Sequence, residues 1–361
     1  MIVQFHQACW LIPENLNCAI NNIFDMPILT TSSFRPAWWL SHPHLQTLWP
    51  ALLRSSPTLA RTRERLHTPD GDFLDLDWHG KKHHAIVMLL HGLSGSSNST
   101  YILGMQQELL RKGFCSVGMN FRGCSGQPNN TARCYHSGDT DDVDFLFRHL
   151  RKAYPHMPIA VVGYSLGGNV LLKWLGEGRQ NLDIFAAAAV SVPLLLNKCS
   201  SRMDVGFSKR YRNQLLKELK GYIYSKHNHL RSIGQPHEAD KLQQLGDLTP
   251  ISSFWEYDDR VIAGLYPFTD VNDYYAQSSS RQYLKSINTP TLIIHANDDP
   301  FMTPEVIPSE SELSPSVDFE IAASGGHVGF VAGNIPGRPR YWLEERIPHF
   351  IQQHYKRLHK G

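Results

Sequence analysis

Two kinds of segment alternate along the middle of the chain when hydrophobic and polar positions are compared. Short apolar runs, such as AIVMLL at 85–90, are typical of fully buried strands, whereas FLDLDW at 73–78 alternates as a half-exposed strand does. Between such runs lie segments with apolar residues at helical spacing, of which 99–112 and 141–150 are the clearest. This alternation predicts right-handed crossovers and a mostly parallel sheet with helices on both faces, so the expected class is α/β.

The alternation stops between about 194 and 285, where charged helical segments and aromatic loops replace the strands. We expect a helical cap insertion there, lying over the sheet. Buried-strand patterns resume at 289–296 and 317–323, before a closing helix. Residues 1–30 show no clear period and are interpreted as a lead-in, which leaves 31–361 as a single domain. Its first part, 34–54, holds Trp38, Trp39 and Trp49, predicted to be a clamp buried against the core.

Composition narrows the class of protein. With 361 residues and 42% hydrophobic content, the chain can bury a large core. Its 35 basic and 33 acidic residues almost cancel, so no general attraction to nucleic acid is expected. The six cysteines form no CxxC pair, as is usual in a reducing compartment. No apolar run reaches the roughly 20 residues of a membrane helix and the start lacks a secretory pattern, so we predict a cytoplasmic protein. Peripheral membrane contact and the oligomeric state stay open.

The strongest chemical signal is Gly163-Tyr164-Ser165-Leu166-Gly167, which fits the G-x-S-x-G nucleophile elbow. A predicted strand precedes it and a predicted helix follows it, as that strained strand-to-helix turn requires. The alternative is a serine that only caps the helix. The context favours Ser165 as a nucleophile.

A serine nucleophile needs a histidine base that a carboxylate orients, and in proteins with a nucleophile elbow the three follow along the chain in the order Ser, acid, His. Asp298 and Asp299 come just after a buried strand, and His327 lies in a glycine-flanked loop before the closing helix. We prefer Asp299 as the acid, since the sequence ANDDPF at 296–301 resembles the hydrolase pattern G-x-x-D-x-[VF], in which the last acid is catalytic. Asp298 would then brace the loop.

Two backbone N–H groups are needed to hold the oxyanion of an acyl-transfer reaction. Leu166 follows the nucleophile and is expected to supply one, while Leu93, in the glycine-containing loop 91–95, is expected to supply the other. The histidine pairs at 42/44 and 83/84 have no Cys or acidic partner at ligand spacing, and no nucleotide-binding motif occurs, so neither a metal nor a cofactor is predicted. An H-x4-D string at 136–141 is expected by chance in a chain with 19 histidines.

Taken together, these motifs resemble the α/β-hydrolase superfamily over residues 70–357. More narrowly, the chain looks like the YheT-like branch, which includes yeast medium-chain ester synthase/esterases and animal abhydrolase-domain lipases. The segments that carry the resemblance are FRPAWWLSHPHLQTLWP, LLHGLSGSSNSTY, NFRGCSGQPN, YHSGDTDDV, GYSLGGNVLLKWLGE and HANDDPF. The resemblance implies an α/β-hydrolase fold and a serine hydrolase of short- to medium-chain carboxylic esters, with Ser165 as nucleophile, Asp299 as acid and His327 as base.

The leading hypothesis is therefore a carboxylesterase, or a monoacylglycerol lipase-like enzyme, whose partner is a small-molecule ester. A second hypothesis transfers the same acyl group to an alcohol and so makes esters. A third is a non-catalytic binding protein on the same scaffold.

Overall fold

The computed structural model describes residues 28–180 and 182–359, and a nine-stranded sheet forms its centre. The strands are β1 (Ile28–Thr31), β2 (Arg61–His67), β3 (Phe73–His79), β4 (Ile86–Leu90), β5 (Cys115–Met119), β6 (Ile159–Tyr164), β7 (Ala186–Val190), β8 (Thr291–Ala296) and β9 (Val317–Ala322). Their order across the sheet is β1-β9-β8-β7-β6-β4-β5-β3-β2. Only β3 runs antiparallel to its neighbours, β2 and β5, so the sheet is mostly parallel, as predicted. A separate antiparallel pair joins β10 (Val331–Ala332) to β11 (Arg340–Tyr341).

Helices cover both faces of the sheet. They are α1 (Pro43–Leu52), α2 (Thr100–Arg111), α3 (Asp141–Ala153), α4 (Leu166–Gly176), α5 (Leu196–Met203), α6 (Ser208–Ser232), α7 (Pro236–Gln243), α8 (Phe254–Tyr257), α9 (Ala263–Leu265), α10 (Val271–Ser278) and α11 (Leu343–Leu358). Successive residues of β4 point to opposite faces: Met88 packs in the hydrophobic cluster with α3 and α4, and Leu89 packs in the cluster with α2 and α11. The uniform apolar runs in the sequence reflect this double burial.

Between β7 and β8 the described residues contain no strand. We call residues 196–286 the helical segment: it comprises α5 to α10, a π-helical turn (Asp258–Ile262) and a 3-10 helix (Ser280–Ser286). Its apolar side chains form a hydrophobic cluster that also includes Ala132 and Cys134. Division of the chain into a lead-in, one domain and a cap insertion at about 194–285 stays a prediction. Residues 1–27 of the lead-in lie outside the described residues, and 28–30 belong to β1.

Two expectations from the sequence were wrong. The FLDLDW strand is not half-exposed: every residue of β3 is buried, because β2 and β5 flank it and its two aspartates are paired. Arg63 of β2 binds Asp77 through two hydrogen bonds of 3.0 and 2.8 Å, which satisfies the buried carboxylate. In the tryptophan clamp, Trp39 and Trp49 do pack edge to face at 4.8 Å, but the side chain of Trp38 is 67% exposed.

Candidate active site

Ser165 lies between β6 and α4. Its φ of 51° is a backbone conformation that residues other than glycine rarely adopt. The flanking glycines make this turn sterically feasible. A Cβ on Gly163 would stand 2.5 Å from the carbonyl oxygen of Gly167, and a Cβ on Gly167 would stand 2.5 Å from the carbonyl oxygen of His91. Backbone atoms cannot move aside cheaply, so the spacing of glycines around the serine follows from close backbone packing.

A chain of hydrogen bonds joins the three side chains that the sequence analysis singled out. Nε2 of His327 lies 2.9 Å from Oγ of Ser165, and Nδ1 of His327 lies 2.8 Å from Oδ2 of Asp299. A carboxylate oxygen accepts hydrogen bonds, so in this arrangement Nδ1 carries the proton and Nε2 is free to accept one from the serine hydroxyl. Asp299 is 4% exposed, whereas Ser165 keeps partial exposure.

The neighbouring aspartate has a different position. Oδ1 of Asp298 accepts hydrogen bonds from the backbone N–H groups of Gly325 and Gly326, at 2.8 and 2.9 Å. It therefore holds the loop that precedes His327 without touching the imidazole. The Phe301 ring stacks on the imidazole of His327, with centroids 4.1 Å apart and planes 13° apart, which restricts the orientation of the imidazole.

The loop after β4 approaches the serine closely. A Cβ on Gly92 would lie 3.2 Å from Cβ of Ser165. Two tyrosine hydroxyls hold the backbone of this loop. The Tyr101 hydroxyl accepts from the N–H of Gly92 and the Tyr135 hydroxyl accepts from the N–H of Ser94, each at 2.9 Å.

Leu93 and Leu166, the predicted oxyanion residues, both line the cavity that contains Ser165. Leu166 is the first residue of α4, where a backbone N–H has no acceptor within the helix. Two residues from separate chain segments thus line the cavity beside the serine.

His91 anchors the start of the same loop. Its Nδ1 donates to the carbonyl of Gly92 at 2.8 Å, and its Nε2 accepts from the N–H of Phe121 at 3.1 Å. The ring is fully buried, and this burial lowers the pKa of His91 to about 4. His91 is therefore a neutral structural histidine, which fixes the backbone of the loop that approaches the serine.

The segment 34–54 contacts the histidine loop directly, a relation that periodicity could not predict. The Thr47 hydroxyl accepts from the backbone N–H of His327 at 2.9 Å. Gln46, fully buried, donates to the carbonyls of Leu40 and Val331 and accepts from the N–H of Val331. Side chains of α1 thus hold the backbone at His327 and Val331, and with it the position of the imidazole. The only signal in the sequence was the segment's match to the family pattern.

A cavity of about 570 Å³ opens beside Ser165 and His327. Its walls come from three regions: the loops at the carboxyl ends of the strands, α1, and the helical segment. Most of its lining is aliphatic or aromatic, including Leu48, Leu93, Met203, Leu219, Phe254, Tyr257 and Phe301. A cavity of this size and polarity suits a small, largely apolar ligand.

Other candidate motifs do not assemble into a site. His136 of the H-x4-D string lines the cavity, but Asp141 lies at the surface in an ion pair with Arg179. Within residues 28–180 and 182–359, no group of three or more His, Cys, Asp or Glu side chains is placed to hold a metal. None of the helices described is long and apolar enough to cross a membrane.

Comparison with known proteins identifies the family. Residues 85–333 match the model of the alpha/beta hydrolase fold family. Over 326 residues, 89% of this chain and 94% of the relative, the sequence is 40% identical to the "Putative esterase YheT" of Escherichia coli (strain K12). It is 29% identical to Phospholipase ABHD3 of Mus musculus over 334 residues, 90% of this chain and 79% of that one. The solved structure of the Pyrococcus furiosus esterase Pf2001 in space group P21 superposes with a TM-score of 0.52 at 18% identity, covering 83% of this chain and 98% of that one, which supports the fold alone. The chain therefore belongs to the α/β-hydrolase fold family, and the resemblance to the YheT-like branch is confirmed.

Proposed function

We propose that the protein is a serine hydrolase of carboxylic esters, with Ser165 as nucleophile, His327 as base and Asp299 as acid. One observation carries the proposal: the continuous hydrogen bonds from the serine hydroxyl through the imidazole to the buried carboxylate, at the wall of an apolar cavity. A structural helix-capping serine would not need a histidine within 2.9 Å of its hydroxyl.

In the first half of the reaction, Oγ of Ser165 attacks the ester carbonyl carbon while its proton passes to Nε2 of His327. The carbonyl becomes an oxyanion, which the N–H groups of Leu93 and Leu166 stabilise as the oxyanion hole. The bond to the alcohol then breaks, and the proton on Nε2 goes to the departing oxygen. This leaves an acyl-enzyme on Ser165.

In the second half, a water molecule gives a proton to Nε2 of His327 and attacks the acyl-enzyme. The second oxyanion collapses, Oγ of Ser165 takes the proton back, and the carboxylic acid leaves. Asp299 keeps the proton of the resting imidazole on Nδ1 and stabilises the imidazolium that forms in each half.

The cavity supports the proposed substrate class. Its volume of about 570 Å³ and its aliphatic and aromatic lining suit esters of short to medium acyl chains. The phospholipase name of the mouse relative is compatible with a lipid-derived ester. We propose a cytoplasmic location, based on the composition and the scattered cysteines.

The test is fluorophosphonate labelling together with hydrolysis of a p-nitrophenyl ester series from acetate to palmitate. Wild type is expected to be labelled at Ser165 and to show an optimum chain length, while Ser165→Ala should lose labelling and about six orders of magnitude in kcat. Ser201→Ala, a change at an exposed serine on α5, is the control and should match wild type. Labelling of Ser165→Ala at the wild-type rate would contradict the assignment. Ester formation in the presence of ethanol or glycerol would indicate that acyl transfer competes with hydrolysis.

A further inference from the structure

The cavity wall carries one group of polar side chains on the helical segment that neither the triad nor the oxyanion loop uses. Ser200 on α5, Asp258 at the start of the π-helical turn and Tyr275 on α10 all line the cavity. We call these three residues the Asp258 cluster. The Tyr275 hydroxyl donates to Oδ2 of Asp258 at 2.7 Å. The Ser200 hydroxyl lies beside that of Tyr275, so three separate elements of the helical segment bring polar groups to one place on a mostly apolar wall.

The hydrogen-bonding capacity of the Asp258 cluster is not used up internally. Ser200 is 6% exposed, and its hydroxyl lies beside the Tyr275 hydroxyl without forming a hydrogen bond of ordinary geometry with any described residue. Among the described residues, no cationic side chain acts on Asp258, and Tyr275 is the side chain that donates to it. Burial raises the pKa of Asp258 to about 7. A buried hydroxyl without a partner is costly, and a carboxylate oxygen can accept more than one hydrogen bond, so the cluster has room for a polar ligand group.

The surroundings narrow the chemistry of that group. Phe254, Tyr257 and Tyr274 line the cavity beside the cluster, so the group must arrive on an apolar chain. A hydroxyl both donates and accepts, so it can donate to the carboxylate of Asp258 while accepting from the hydroxyl of Ser200. A chain that ends in a methyl group would displace water from these atoms without replacing its hydrogen bonds.

We propose that the Asp258 cluster is a specificity site for a hydroxyl group on the ester substrate, so that the preferred substrates are hydroxylated esters. The inference rests on the proposed function, because it assigns one end of the ester to Ser165. The hydroxyl can be carried by the acyl chain or by the alcohol, and the two sources present the same chemistry to the cluster.

The experiment compares isosteric ester pairs in which a hydroxyl replaces a terminal methyl group. One series carries the hydroxyl at the end of the acyl chain of p-nitrophenyl esters, over several chain lengths. The other compares ethylene glycol monoesters with propyl esters of one fatty acid. Wild type should prefer the hydroxylated member of one series by about tenfold in kcat/KM, which corresponds to 1.4 kcal/mol. The preference should appear mainly in KM, because the cluster does not touch the reacting carbonyl.

Ser200→Ala should reduce that preference and Asp258→Leu should abolish it, while hydrolysis of the alkyl esters continues. Ser201→Ala, one position along the same helix but exposed, is the matched control and should keep the wild-type preference. Ser200→Ala removes one oxygen only, so it also serves if Asp258→Leu fails to fold. The series in which the preference occurs assigns the cluster to the acyl or the alcohol side.

Equal rates within every pair for wild type, or a preference that survives both changes, would overturn the inference. In either case continued hydrolysis of alkyl esters would leave the proposed function intact. A wild-type protein that hydrolyses no ester and is not labelled at Ser165 would instead overturn the proposed function, and this inference with it.

Discussion

The assignment of the acid between two adjacent aspartates gives the sharpest test of the site. Oδ2 of Asp299 lies 2.8 Å from Nδ1 of His327. Asp299→Asn keeps the size of the side chain but can replace this acceptor with an amide that donates to Nδ1. The imidazole proton then moves to Nε2, which can no longer accept from Ser165. In serine proteases the equivalent change costs about 10⁴ in kcat, or about 5.5 kcal/mol at 1.36 kcal/mol per tenfold. Because Asp299 is only 4% exposed, water cannot readily take its place, and we expect a loss of the same order.

Asp298→Asn is the matched change one residue earlier. Its amide oxygen can still accept from the N–H groups of Gly325 and Gly326, so only the charge assistance is lost. We expect a fall in kcat of about fivefold, corresponding to about 1 kcal/mol. The measurements are kcat with a p-nitrophenyl ester, the rate of fluorophosphonate labelling, and thermal unfolding to show that both variants fold. A loss for Asp298→Asn equal to or larger than that for Asp299→Asn would refute the reasoning.

Three further predictions concern the groups around the triad. Thr47→Val removes the acceptor for the N–H of His327 and should lower kcat about tenfold with little change in KM, measured by steady-state kinetics; unchanged kcat would show that α1 does not position the base. Gly167→Ala places a Cβ 2.5 Å from the carbonyl oxygen of His91 and should lower the free energy of unfolding by about 1–3 kcal/mol in urea titrations, whereas Gly221→Ala, in open space on α6, should not destabilise. The pKa of His91 is lowered to about 4 from an ordinary 6.5, so the unfolded chain binds the proton more readily than the folded protein. The contribution of the neutral, buried His91 to stability is therefore intact above pH 6.5 and is lost as the pH falls towards 4. Titration of the His91 ring by NMR near pH 6.5 would contradict this.

The inner part of the sheet could be predicted from sequence because its signal is local. β4, β6, β7 and β8 are buried on both faces, and uniform apolar runs are the consequence. β2 gives no such signal, since its sequence RTRERLH is mostly polar and its burial is partial. It pairs with β3 through arginine–aspartate contacts between residues that are 10 and 14 positions apart. The same contacts explain why the exposure of β3 was predicted wrongly.

The candidate site shows the same contrast between local signals, which the sequence reveals, and long-range contacts, which it does not. The nucleophile elbow lies within five consecutive residues, so its pattern could be recognised directly. The contact of Thr47 with His327 spans 280 positions, and that of Gln46 with Val331 spans 285. The Asp258 cluster likewise depends on how three helical elements pack. No periodicity or spacing in the sequence encodes such contacts, because each depends on the completed fold.

The backbone strain in the molecule is concentrated around this site. Among the described residues, five that are not glycine have positive φ: Ser94, Ser165, Ser191, Val328 and Phe330. Ser94 and Ser165 follow β4 and β6, Ser191 follows β7, and the other two lie just after His327 in the loop between β9 and β10. Such conformations cost about 1–3 kcal/mol each and persist only where surrounding contacts fix them.

The surrounding contacts can be identified at each strained position. The N–H of Ser165 donates to the carbonyl of Val190 at 2.8 Å, and the N–H of Phe330 donates to that of Gly325 at 2.9 Å. The Ser191 hydroxyl accepts from the N–H of Val328 at 3.0 Å, so two strained residues hold each other. The strained residues all lie in one set of loops, and hydrogen bonds hold them in place. These loops therefore keep a single geometry before any ligand binds. Ester hydrolysis needs this preorganisation, because an oxyanion hole that had to assemble during the reaction would lose most of its electrostatic advantage.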